Sequence, residues 1–137
     1  SILLVSSDMK NIAPWVDSFN VLYCGQTVEI GDKEDILTKP LHPYTSALLN
    51  SIPDFSHPLV SKSHLNTLKG SIPMLQEMPI DCCLGPRCPF AQKKCIQKPP
   101  LKKFKQREFA CYFPINFREV NVNRKAEFEP VVVAERE

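Results

Sequence analysis

The distribution of proline constrains the fold of this chain more than any other feature of its sequence. Ten of the 13 prolines lie between Pro40 and Pro100. Because proline fixes φ and removes a backbone N–H donor, it breaks helix interiors and central strands. The pattern predicts that the chain after Ile52 is largely extended and looped, with few long helices. Five of the six cysteines follow Ile52, namely Cys82, Cys83, Cys88, Cys95 and Cys111.

The beginning of the chain has the patterns of ordinary α/β structure. Ile2 to Val5 is a short apolar run, which predicts a buried strand. The polar and apolar residues of 8–18 predict a helix. Pro14 lies inside this segment, so the helix is either kinked there or starts near that residue.

Two β-rich runs follow, at 19–24 and 26–30, with Gly25 between them. Their spacing predicts an antiparallel hairpin or two adjacent edge strands. Two short helices are predicted after the second run, over 33–38 with Asp32 as the N-cap, and over 46–52 with Pro43 in the first turn. The tail from 116 to 137 contains a β-prone run at 131–133, and we interpret it as a frayed tail.

Charge and hydropathy exclude several classes of protein. The net charge of +2, from 17 basic and 15 acidic residues, is too balanced for a nucleic-acid-binding or membrane-surface protein. The apolar run at the start is far shorter than the roughly 20 residues of a membrane helix. No secretory signal is visible, so we expect reduced thiols rather than disulfides. The start within a strand-like run, without methionine, predicts that the chain is part of a larger protein.

The cysteines form the pattern with the most chemical meaning. Cys82, Cys88, Cys95 and Cys111 are separated by five, six and fifteen residues. Four thiolates are the ligand set of structural zinc and of a [4Fe-4S] cluster. The spacing has neither the C-x-x-C pair typical of zinc nor the short spacing of ferredoxins. Zinc, an iron-sulfur cluster and unrelated buried thiols all stay open.

Neighbouring residues bear on this site. Cys83 adjoins Cys82 and competes with it as a ligand, whereas Cys24 is most simply a core thiol. Positive charge near the thiols would lower their pKa values, and four nearby cations are available at Arg87, Lys93, Lys94 and Lys98. His42 precedes a proline at a helix start, so we interpret it as a capping or packing residue rather than a ligand.

Three motifs occur in an order that resembles one family. The stretches at 2–9 and 21–29 resemble the region after the Walker B strand of ABC ATPases. His42 to Thr45 reads HPYT and resembles the signature of the C-terminal extension in oligopeptide and dipeptide transporter ATPases. The segment from Gly85 to Ala91, flanked by Cys82 and Cys95, is similar to the cysteine segment of that family. The resemblance covers roughly residues 1–118.

The resemblance implies an α/β fold, in which the C-terminal part of a P-loop ABC ATPase domain is followed by a loop-rich, proline-rich extension with four cysteines. The implied division is 1–52 for the ATPase end with the HPYT helix, 53–118 for the extension, and 119–137 for an unassigned tail. It also implies that a [4Fe-4S] cluster, with zinc as the alternative, is held by Cys82, Cys88, Cys95 and Cys111.

The implied function is that of the energising subunit of a bacterial peptide importer, linked to antimicrobial-peptide uptake. Its partners would be transmembrane permease subunits and a second ATPase subunit, at the inner face of the bacterial inner membrane, with no nucleic acid. ATP and Mg²⁺ would bind only in the complete subunit, because this sequence has no Walker A, signature or Walker B motif. This chain alone should therefore not hydrolyse ATP.

One catalytic position departs from the family. Ser7 aligns with the switch histidine, which helps to position the attacking water, and a hydroxyl cannot reproduce imidazole chemistry. Two other classes of function stay open. One is a free-standing small iron-sulfur or zinc protein for electron transfer or partner binding. The other is a nucleic-acid module, with Phe104 and Phe109 among the basic residues Lys102, Lys103, Lys105 and Arg107, for which a solvated basic loop is the simpler interpretation.

Overall fold

A computed structural model describes residues 1–52 and 67–117 of the chain. Seven elements of regular structure lie in these ranges: α1 (Met9–Ile12), β1 (Ser18–Tyr23), β2 (Gln26–Asp32), α2 (Lys33–Thr38), α3 (Pro43–Asn50), β3 (Lys102–Phe104) and β4 (Arg107–Phe109). Short 3-10 turns supplement them at Ala13–Trp15, Leu75–Glu77, Gly85–Arg87 and Lys93–Ile96. The described residues from 67 to 101 contain only such turns, which confirms the loop-rich structure that the prolines predict.

The antiparallel hairpin predicted around Gly25 is confirmed. Strands β1 and β2 pair from Ser18 with Asp32 to Tyr23 with Gln26. The turn places Cys24 at φ 50° and Gly25 at φ 73°, in the left-handed region that glycine enters without a steric penalty. Alternate residues of β1 are buried, so one face of the hairpin packs on the core.

A second hairpin extends this sheet and was not predicted. Strand β4 pairs with β2 through Glu29 opposite Phe109, and β3 pairs with β4. The sheet is four-stranded and antiparallel, with the order β1-β2-β4-β3. The described residues before and after position 52, where the predicted division of the chain falls, therefore contribute strands to the same sheet. The sequence signal was weak because lysine and arginine dominate 102–107, and both strands are only three residues long.

The helix predicted over 33–38 is confirmed as α2. Asp32 lies at its N-cap position, but its side chain makes no cap hydrogen bond. Helix α3 begins earlier than predicted, with Pro43 in its first turn, and ends at Asn50. The ring of Tyr44 lies 4.6 Å from that of Tyr23, so α3 packs against the first hairpin.

Two expectations for the start of the chain are wrong. Residues 2–5 form no strand, and Ile2, Leu3 and Val5 are about nine-tenths exposed. A strand forms only where a neighbour accepts its ladder hydrogen bonds, and no described strand lies beside this run. The helix predicted over 8–18 is also shorter, because α1 tightens into the 3-10 turn that contains Pro14.

The buried side chains form two groups. The first, the hairpin core, contains Met9, Phe19, Val21, Tyr23, Val28, Ile36, Cys83 and Leu84. The second, the C-terminal core, contains Leu41, Phe104, Phe109 and Cys111. Each group combines residues of the first described range, 1–52, with residues of the second, 67–117. The two groups thus hold the cysteine segment on the sheet.

The predicted tail from 119 to 137, with its run at 131–133, lies outside the described residues. Within the described ranges, no helix is both long and apolar enough to cross a membrane.

Candidate metal centre

Four cysteines from two separate segments line one cavity. Cys82, Cys88 and Cys95 lie on the loop after residue 81, and Cys111 follows β4. The remaining walls come mainly from apolar side chains and from the start of α3: His42, Pro43, Leu84, Gly85, Phe90, Pro99, Tyr112 and Phe113. The structure thus brings together all four residues that the sequence singled out. Among residues 1–52 and 67–117, no group of three or more His, Cys, Asp or Glu side chains is arranged so that it could hold a metal ion.

The loop that carries three of these cysteines closes on itself. The Cys82 N–H donates to the Cys95 carbonyl at 3.3 Å, and the Gly85 N–H donates to the Cys82 carbonyl at 2.7 Å. The Cys95 N–H in turn donates to Gln92 at 2.8 Å. The two three-residue contacts are 3-10 turns, which hold an irregular segment without a helix or strand. The contact between Cys82 and Cys95 places the first and the third cysteine beside each other.

Backbone amides act on the pKa of three of the thiols. The amides of Leu84, Phe90 and Phe113 act to lower the pKa of Cys82, Cys88 and Cys111, respectively, which favours the thiolate. The Gly85 amide acts in the same direction on Cys82. Hydrogen bonds to ligating sulfurs stabilise and tune thiolate centres. The shared direction of these effects suits sulfurs that carry negative charge.

Burial opposes that charge. It raises the pKa of Cys82, of Cys88 and, to about 12, of Cys111. The other thiolates of the cavity raise the pKa of Cys111 further, which shows that the four sulfurs are electrostatic neighbours. Four thiolates can therefore coexist here only with a compensating cation.

The expected effect of nearby cations is wrong. Arg87 donates to the Tyr23 hydroxyl at 3.1 Å and to the Lys69 carbonyl at 3.1 Å. The Lys94 ammonium lies 4.8 Å from the centre of the Tyr112 ring. Lys93 and Lys98 are exposed. Because these side chains are engaged elsewhere or solvated, they do not offset the burial that raises the thiol pKa values.

Cys83 does not compete with Cys82 for the cavity. It packs in the hairpin core with Tyr23, and its pKa is raised to about 11, first by burial and then by the charges of Cys82 and Cys24. Cys24 is half-buried against the same core, as the interpretation of a core thiol expects.

His42 caps α3, which confirms the capping interpretation. Its Nδ1 accepts from the Tyr44 N–H at 3.1 Å. Burial lowers the pKa of His42 to about 4, so the ring is neutral at physiological pH. The residue before a proline is restricted to extended backbone, which suits an N-cap.

A buried ion pair below the cavity was missed by the sequence reasoning. Glu29 and Arg107 are 0% and 1% exposed, and their Oε1 and NH2 atoms lie 2.7 Å apart. The Glu29 carboxylate also accepts from the Leu41 N–H at 2.7 Å and the His42 N–H at 2.9 Å. The Arg107 guanidinium donates to the Lys39 carbonyl at 2.8 Å. The pair ties β2 and β4 to the start of α3.

The same geometry argues against the nucleic-acid module. Arg107 is buried in the ion pair, and Phe104 and Phe109 are buried in the C-terminal core. Aromatic rings that stack on bases must be accessible. The Lys102 ammonium lies 5.3 Å from the centre of the Tyr112 ring, so part of this basic stretch packs on the residue after Cys111.

Comparison with known proteins identifies the family. Residues 28–95 match the family "Oligopeptide/dipeptide transporter, C-terminal region". The chain is 52% identical, over 133 residues, to the peptide transport system ATP-binding protein SapD of Haemophilus influenzae. The chain belongs to the oligopeptide/dipeptide transporter family of ATP-binding proteins. This match covers 97% of the chain, so the resemblance extends beyond residue 118, where the sequence analysis ended it.

Other members of the oligopeptide/dipeptide transporter family are also similar. SapD of Salmonella typhimurium is 53% identical over 116 residues, or 85% of the chain. The dipeptide transport ATP-binding protein DppD of Haemophilus influenzae is 39% identical over 117 residues, also 85% of the chain. The chain spans 38%, 35% and 34% of the lengths of these three relatives.

Proposed function

We propose that the chain is the C-terminal part of the energising subunit of a bacterial peptide importer, linked to antimicrobial-peptide uptake. The family match and the 52% identity to a peptide transport ATP-binding protein support this assignment. The complete subunit binds ATP and Mg²⁺ through phosphate-loop and carboxylate motifs, which this sequence lacks. A free-standing iron-sulfur or zinc protein has no support from these relatives.

The partners follow from that role. The complete subunit contacts transmembrane permease subunits and a second ATPase subunit, on the inner face of the bacterial inner membrane. The apolar side chains of Ile2, Leu3, Val5 and Trp15, each at least 80% exposed, support contact with further protein, because monomers seldom expose contiguous apolar patches.

We also propose that Cys82, Cys88, Cys95 and Cys111 hold a [4Fe-4S] cluster, with zinc as the alternative. The observation that carries this proposal is the shared cavity, which all four cysteines line although they come from two segments of the chain. Four thiols are the donor set that such a cluster uses. Once bound, the cluster would cross-link the loop around 82–95 to the segment after β4, and would supply one-electron chemistry.

Cys83 and Cys88 offer a matched pair of substitutions. Cys88→Ala is expected to abolish most of the iron and sulfide bound by anaerobically purified protein, because it removes one cluster ligand. Cys83→Ala is expected to leave both contents unchanged, since this thiol packs in the hairpin core. Iron, sulfide and zinc analysis with a visible spectrum provides the measurement. A colourless protein with stoichiometric zinc would show that the iron-sulfur assignment is wrong, and equal metal content in both variants would refute the cavity as the site.

Ser7 stands where the family has its switch histidine, and we propose that it weakens hydrolysis at this site. It is exposed beside Asp8, which caps α1 through the Asn11 N–H at 3.0 Å. Ser7→His in the complete, assembled subunit is expected to raise ATP turnover several-fold, because imidazole can orient the attacking water. Ser7→Ala serves as the control and should match the wild type. Unchanged turnover in Ser7→His would show that the hydroxyl is not limiting.

A further inference from the structure

Two of the cysteines meet through their main chains as well as in the cavity. The Cys82 N–H donates to the Cys95 carbonyl at 3.3 Å, across a loop that contains the turns Gly85–Arg87 and Lys93–Ile96. Backbone hydrogen bonds between paired segments hold the facing Cα atoms about 4.5 to 5.5 Å apart. The Cα atoms of disulfide-bonded cysteines are usually about 4.4 to 6.8 Å apart. The main-chain contact therefore brings this pair within the range that a disulfide spans.

The side chains of this pair share the same space. Cys82 and Cys95 both line the cysteine cavity, whereas a disulfide is ruled out only when the two Cβ vectors point apart. Both thiols are free and half-buried, while Cys83 and Cys111 are buried. A cysteine must be accessible for a small oxidant to reach its sulfur. The pair is thus both close together and within reach of such an oxidant.

Cys88 lies between the two in sequence, but its main chain is engaged differently. Its N–H and its carbonyl both take part in short-range turns, whereas the Cys82 N–H reaches across the loop to Cys95. In an unfolded chain, loop-closure entropy favours the shorter loops that Cys88 closes with either neighbour. Selective pairing of Cys82 with Cys95 is therefore a property of the fold and not of the sequence spacing.

We propose that Cys82 and Cys95 are a modification site, at which hydrogen peroxide oxidises the two thiols to a reversible disulfide. The sulfur of one cysteine attacks the peroxide, the O–O bond breaks, and a sulfenic acid and one water form. The sulfur of the other cysteine then attacks the sulfenic sulfur, the S–O bond breaks, and a second water leaves. Two thiols and one peroxide thus give one disulfide and two waters. A dithiol reverses the reaction by thiol–disulfide exchange.

The disulfide does not depend on the proposed metal centre. It needs two neighbouring thiols, whereas a four-thiolate centre also needs Cys88 and Cys111. The disulfide and such a centre exclude each other, because both use the sulfurs of Cys82 and Cys95. Oxidation would therefore remove two of the four thiols from the proposed centre and close the loop between them with a covalent bond.

Peptide mapping of the full chain tests the pairing. The protein is chelated anaerobically, treated with one equivalent of hydrogen peroxide, alkylated, digested with trypsin and analysed by mass spectrometry without reductant. We expect a loss of two free thiols per chain, a cross-linked peptide that contains Cys82 and Cys95, and recovery of both thiols with dithiothreitol. The same treatment in urea should give mainly cross-links to Cys88, because they close shorter loops.

Variants assign the bond, because Cys82 and Cys83 are adjacent and share a tryptic peptide. Cys82→Ala and Cys95→Ala should lose the cross-link, whereas Cys83→Ala should keep it. Cys88→Ala should also keep it, although this variant lacks one proposed metal ligand. If a variant does not fold, fragment spectra of the wild-type cross-link give the same assignment.

Two results would overturn the proposal. One is a cross-link to Cys88 that is at least as abundant, in the folded protein, as the cross-link between Cys82 and Cys95. The other is the appearance of sulfenic or sulfinic acids without any cross-link. Wild-type protein purified without metal would contradict the metal centre alone, because the disulfide forms from the free thiols.

Discussion

Replacing Glu29 by alanine is expected to lower the free energy of unfolding by about 3 to 5 kcal/mol, the cost of removing one partner from a buried ion pair. The substitution leaves the Arg107 guanidinium, 1% exposed, without its counter-charge. It also removes the acceptor of the Leu41 and His42 N–H groups. Urea unfolding followed by circular dichroism measures the change.

Two controls separate the ion pair from a general effect of losing a carboxylate. Asp17→Ala removes an exposed acid and should change stability by less than about 0.5 kcal/mol. The double variant Glu29→Met with Arg107→Leu replaces both charges by apolar side chains and should recover most of the loss. A Glu29→Ala protein within 1 kcal/mol of the wild type would show that the pair does not hold the sheet to α3.

Removal of the metal is expected to release the cysteine loop while the first hairpin stays folded. A ligand present at 100 times its dissociation constant stabilises the bound state by about 2.7 kcal/mol. We therefore expect amide exchange in 82–99 to accelerate about 100-fold after anaerobic chelation. Strands β1 and β2 should keep their protection, because their ladder hydrogen bonds join them to each other and to β4 rather than to the cysteine loop.

Hydrogen exchange with mass spectrometry, with and without chelator, tests this expectation. Cys88→Ala protein should exchange at the fast rate in both conditions and Cys83→Ala should behave as the wild type. Equal protection of 82–99 before and after metal removal would contradict a structural role for the metal. The expected result is the same for iron and for zinc, so this measurement tests the structural role of the metal independently of its identity.

Local sequence patterns predicted the elements whose causes are local. The hairpin around Gly25 and helix α2 follow from alternation, turn residues and short-range periodicity. The strand predicted at 2–5 does not form, because a strand needs a neighbouring strand to pair with and the described residues do not supply one. The hairpin of β3 and β4 forms although its own residues did not predict it, because its stability comes from the pairing of β4 with β2.

The candidate site shows the same division. The four cysteines could be selected from the sequence through the family resemblance, but spacing alone left zinc, iron-sulfur and plain thiols open. Glu29 and Arg107 are 78 positions apart, and no pattern in the sequence pairs a glutamate in one strand with an arginine so distant. The side-chain directions of Arg87 and Lys94 could not be predicted from the sequence either, because proximity along the chain does not decide which way a side chain points.

The strand order β1-β2-β4-β3 also has a consequence for the order in which the sheet can form during biosynthesis. While the ribosome is still adding residues before Arg107, the edge of β2 that later receives β4 has no partner, and an open edge invites pairing with another chain. Cys111 lies two residues after β4, so it is synthesised after the strand that covers this edge. A nascent chain arrested before β4 would therefore have both an open strand edge and a cysteine set that lacks its fourth member.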